Sequence, residues 1–87
     1  MNYVHILYRD IHGEDFRSNV IVWSTDKYLT RDEAVLSVSK EVRVGESYSC
    51  YSEGTWEYDE YVKMRDAGKN SIEIASVIEP TFFDEEP

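Results

Sequence analysis

Asn2-Tyr3-Val4-His5-Ile6-Leu7-Tyr8-Arg9 is the stretch whose reading decides the fold. Strand alternation puts Val4, Ile6 and Tyr8 on one face and Tyr3, His5 and Leu7 on the other. Both faces are largely apolar, as in a strand covered on both sides, so the segment reads as an inner strand. Arg17 to Ser24 alternates in the same way, with Val20 and Val22 opposite Ile21 and Trp23. Between the two lies Asp10-Ile11-His12-Gly13-Glu14-Asp15, polar and containing a glycine, which makes the pair an antiparallel hairpin with a longer loop.

Working outward, Thr30-Arg31-Asp32-Glu33 has the spacing of a capping box. Ala34, Val35, Val38 and Val42 then fall on one helical face, and Gly45 is placed to end the helix. Glu46 to Ser52 reads as a short third strand or an irregular link. Thr55 is placed to cap a second helix over Trp56 to Ala67, ending at Gly68. On its wheel Tyr58, Tyr61, Val62 and the stem of Arg65 fall together, with Trp56, Asp59, Glu60 and Lys63 on the other side. Ser71 to Glu79, with Ile72, Ile74 and Ile78 alternating, reads as a last strand stopped by Pro80. The expected fold is α+β, in the order β-β-α-(β)-α-β. It is a small, mainly antiparallel sheet of three or four strands with two helices on one face. Residues 1–80 form a single domain, and 81–87 is an acidic tail that frays, with Phe82 and Phe83 against the sheet edge.

The chain has 87 residues, 18 acids against nine bases, and a net charge of −9. Its bases are scattered, so the field disfavours direct nucleic-acid binding and anionic membrane surfaces. A basic partner is the natural complement. Cys50 is the single cysteine, which excludes an internal disulfide. No basic-then-apolar leader and no run of membrane-spanning length is present, and the expected location is cytoplasmic, in a cell or an infected host.

The most unusual segment is Val44 to Val62: nineteen residues with five acids, five aromatics and no Lys or Arg. Tyr58 and Tyr61 belong to the core on the wheel. What remains is a patch of Glu53, Trp56, Glu57, Asp59 and Glu60 at the start of the second helix, an expected partner-binding surface. Acids there also favour the positive end of the helix dipole, which explains one or two of them without any partner.

Other constellations carry less. Asp10, His12, Glu14 and Asp15 lie close enough in sequence to suggest a metal-dependent hydrolase or nuclease. Gly13 comes too early for a calcium loop, however, and no basic groove for phosphate is readable. Cys50 with His5 or His12 matches no nucleophile–base signature, and His5 in an apolar strand suits a core residue. No phosphate-cradling glycine loop or metal-ligand spacing is present, so no cofactor, metal or catalytic residue is expected.

The reading that follows is a non-catalytic inhibitor that occupies a basic nucleic-acid-binding site on a partner protein. In size and charge the chain resembles the small acidic phage proteins that block host defence nucleases, anti-CRISPR proteins among them, a likeness of composition that rests on no motif. A homo-oligomeric accessory domain, a homodimer for instance, with Tyr and Trp at a self-interface, is the remaining alternative.

Overall fold

The computed structural model describes residues 1–9, 15–39 and 46–83. Its strands are β1 (Tyr3–Tyr8), β2 (Val20–Thr25) and β3 (Ser47–Ser52), and its helices are α1 (Arg31–Ser39), α2 (Trp56–Asp66) and α3 (Ser71–Ile78). Short 3₁₀ turns occupy Phe16–Ser18 and Pro80–Phe82. The sheet is wholly antiparallel in the order β2-β1-β3, with the doubly apolar β1 at its centre. The α+β class and the antiparallel sheet are therefore as the sequence implies.

The register assigns the two faces. Val4 pairs with Ser24 and Tyr51, Ile6 with Val22 and Ser49, and Tyr8 with Val20 and Ser47. On this face Val4, Ile6, Tyr8 and Val20 join Tyr61 of α2 and Ile74, Ala75 and Ile78 of α3 in one buried cluster. The opposite face carries His5 and Leu7, across from Trp23 and Cys50 and from Ile21 and Tyr48. There α1 packs on β1 and β3, and Leu29, Ala34 and Val35 are buried. Helices α2 and α3 thus cover one face and α1 the other. The two helices expected side by side therefore lie on opposite sides of the sheet, and the segment expected as a last strand supplies the second helix beside α2. Without a helix on each face, one apolar side of β1 would face water.

The Thr30 capping box forms as its spacing requires: the Glu33 amide donates to Thr30 Oγ1 at 3.3 Å and the Thr30 amide to Glu33 Oε1 at 2.9 Å. The expected Val42 on this helical face and Gly45 at its end lie outside the described residues. Helix α2 ends at Gly68, whose φ of +80° suits a residue without a β-carbon. Its amide donates to the Arg65 carbonyl and the Lys69 amide to that of Met64, which closes the helix in a Schellman turn.

One expected element is corrected. Ser71 to Glu79 is not a strand: Ser71–Ile78 is α3, capped by Asn70. The Glu73 amide donates to Asn70 Oδ1 at 2.9 Å and the Asn70 amide to Glu73 Oε1 at 3.2 Å, a second capping box. Ile74, Ala75 and Ile78 face the core while Ile72 and Val77 are exposed, a helical pattern that alternation had masked. The Val22 amide donates to Ser71 Oγ at 3.1 Å, so the start of α3 covers part of the edge of β2.

The two descriptions of this segment differ in what they predict for Ile72 and Ile74, which a strand would place on one face. With α3 in place, Ile74→Ala should cost about 2–4 kcal/mol of stability and Ile72→Ala less than about 1. Urea denaturation of both variants measures the difference, and equal losses would restore the strand.

Candidate functional site

The turn from β3 into α2 builds the expected patch. The Thr55 amide donates to the Ser52 carbonyl at 3.3 Å, and Gly54 adopts a φ of +93° at the third turn position. Thr55 caps α2, its hydroxyl accepting from the Tyr58 amide at 3.3 Å and donating to the Ser52 carbonyl at 2.8 Å. The turn is fastened to the start of β1. The Glu53 amide donates to the Asn2 carbonyl at 2.9 Å, and the Asn2 amide donates to the Glu53 carboxylate.

On this frame Trp56 is 57 % exposed, and Asp59 and Glu53 are exposed. Glu57 and Glu60 are half-buried on the flanks of the helix. Glu57 lies near enough to Tyr51 to oppose its ionisation, although burial and the Glu79 carboxylate dominate there. Tyr61 is buried and Tyr58 and Val62 pack beside it, with the Arg65 guanidinium 5.4 Å from the Tyr61 ring centroid. The fifth acid of the base-free stretch, Glu46, is buried beside β3, and its main-chain carbonyl accepts from Arg31 Nε at 3.0 Å. The acids therefore do not all converge. Four border the start of α2 and one turns inward.

Two polar clusters join residues that no local sequence pattern relates. On the α2–α3 face the Glu79 carboxylate accepts from the Tyr8 hydroxyl at 2.9 Å and from the Tyr51 hydroxyl at 2.6 Å. This ties the end of α3 to β1 and β3 at once, and Phe82 stacks on Tyr8 at 4.4 Å. Burial first, and the neighbouring carboxylate second, push both phenols well above the ordinary tyrosine range.

On the α1 face fully buried His5 holds Nδ1 2.8 Å from the Tyr48 hydroxyl and Nε2 2.6 Å from that of Thr25. Those hydroxyls also lie within donating distance of the Leu29 carbonyl, at 2.9 Å, and the Lys27 carbonyl, at 2.8 Å. Each hydroxyl has one proton. All four bonds coexist only with a doubly protonated ring, and a neutral ring turns one hydroxyl toward its bare nitrogen. Burial favours the neutral form and lowers the His5 pKa. Cys50 stands across the β1–β3 pair from His5, but hydroxyls occupy both ring nitrogens.

Of the metal-loop candidates, residues 10–14 lie outside the described residues. Asp15 pairs with Arg17 at 2.8 Å, which holds its carboxyl below the usual range. Among the described residues there is no group of three or more His, Cys, Asp or Glu side chains arranged to hold a metal. No described helix is long and apolar enough to cross a membrane. No family model, curated protein or solved structure matches the chain.

Two titrations test this description. An unfolded chain releases its phenol protons near pH 10, before folded Tyr8, Tyr48 and Tyr51 can, so stability should fall as pH rises above about 10. Ultraviolet titration should then show part of the seven-tyrosine signal appearing only with alkaline unfolding. For His5 the sign is opposite: the unfolded chain takes up the proton first as pH falls through about 6.5, and stability is lost below that value. Imidazole nitrogen NMR should place the His5 midpoint below 6.5; a midpoint above it would mean that the four hydrogen bonds outweigh burial.

Proposed function

We propose that this chain is a non-catalytic inhibitor that presents the start of α2 to a basic, nucleic-acid-binding site on a partner protein. The observation that carries the reading is the exposed indole of Trp56, held on a capped helix start with Glu53, Glu57, Asp59 and Glu60 around it. The sequence offers no base between Glu46 and Val62, and the next, Lys63, lies two helical turns from Trp56. Carboxylates on such a surface accelerate encounter with a cationic cleft, and an aromatic anchor slows dissociation by burying apolar area. The net charge of −9 extends that attraction to the whole molecule. A phage anti-defence protein acting on a host nuclease is the setting that fits such a mechanism.

Capture from host lysate, with DNA and RNA as competitors, is the test. Nucleic acid should displace the captured partner, and the association rate should drop steeply between low and physiological salt. Trp56→Ala should weaken binding by about 2 kcal/mol or more while leaving the melting temperature nearly unchanged. Binding that ignores salt, or a ternary complex that retains nucleic acid, would overturn the proposal.

A further inference from the structure

The start of α2 is one part of a longer rim. Tyr3 at the head of β1 pairs with Thr25 at the end of β2 and with Ser52 at the end of β3. That end of the sheet therefore gathers Asn2 and Tyr3, the segment after Thr25, and the turn into α2. Just beyond β2, Tyr28 is 61 % exposed and its ring meets Tyr3 edge-on at 6.1 Å. The main chain on either side of it is held: the Lys27 carbonyl accepts from Thr25 and the Leu29 carbonyl from Tyr48, and Leu29 is buried. A ring that is exposed yet fixed at its backbone loses little freedom when a partner covers it.

The charges of the rim are mostly negative. Asp26 and Glu53 are exposed, Glu57 borders Tyr51, and Lys27 lies close enough to Glu33 to favour its ionised form, after the Thr30 capping bonds. Tyr28 lies toward the α1 side of the sheet and Trp56 toward the α2 side. Tyr3 and Asn2 connect them: the Tyr3 ring meets Tyr28, and Asn2 is hydrogen-bonded to Glu53, three residues before Trp56, so the rim is continuous from one ring to the other. Aromatic faces beside carboxylates favour guanidinium groups, which stack on the ring while pairing with the acid.

We infer that Tyr28 is a second aromatic anchor, and that the docking surface spans the rim from Tyr28 through Asn2 and Glu53 to Trp56 and takes an arginine-rich protein face. This rests on the functional reading above, and extends it from a helix start to a two-anchor surface.

The full chain, labelled with ¹⁵N, is titrated with octa-arginine at low salt. The largest shifts are expected at the Asn2, Asp26–Tyr28 and Glu53–Trp56 amides and at the Trp56 indole. Tyr28→Ala should weaken octa-arginine roughly three- to tenfold, Tyr28→Phe should bind within about twofold of the native chain, and Leu36→Ala on α1 should change nothing. Unchanged affinity in Tyr28→Ala, with shifts confined to the start of α2, would overturn the second anchor and leave the functional reading standing. Absence of saturable binding would overturn both. Native-like amide spectra for each variant confirm that the fold is retained.

Discussion

The Glu79 carboxylate is the contact on which the arrangement of the α2–α3 side depends. It stands at the end of α3 and takes hydroxyls from the middle and the neighbouring strand of the sheet, Tyr8 of β1 and Tyr51 of β3. Removing a buried acid from water costs several kcal/mol, and two charge-assisted hydrogen bonds offset part of that cost. The geometry they impose is specific: α3 must reach the sheet with its last turn over Tyr8, which is where Phe82 and Phe83 close on the same ring. Pro80 then turns the chain without breaking the contact.

β1 was readable because burial on both faces leaves an unambiguous apolar run, and α1 because Thr30 and Glu33 announce their own cap. The segment after Asn70 has the pattern of a strand because Ile, Ile and Val favour strands and the Ile72–Ile74 spacing mimics alternation. Asn70 and Glu73 repeat the spacing of Thr30 and Glu33, so the corrective signal was present in local hydrogen bonding rather than in hydrophobicity. The Glu79 and His5 clusters were not readable, since both join residues far apart in the chain whose proximity depends on strand register.

The candidate site was partly legible for the same reason. Exposure of Trp56 and burial of Tyr61 follow from a helical wheel once Thr55 is taken as the cap. The inward placement of Glu46 and the exposure of Tyr28 do not, because neither lies on a periodic element that a wheel or an alternation can sort. Tyr28 joins the proposed surface through the pairing of Tyr3 with Thr25, which is a property of the sheet.

On the proposed function the acids around Trp56 serve two demands that are physically compatible. Glu57 and Asp59 in the first turn of α2 interact favourably with its unpaired amides, so the fold supports a concentration of negative charge there by roughly 0.3–1 kcal/mol for each. The proposed cationic partner would meet carboxylates already oriented by that helix end. Neutralising an acid would therefore weaken the helix and the docking together, and a loss of binding alone could not assign its cause. The exposed indole separates the two, because Trp56 adds apolar area to an interface while contributing little to the buried core.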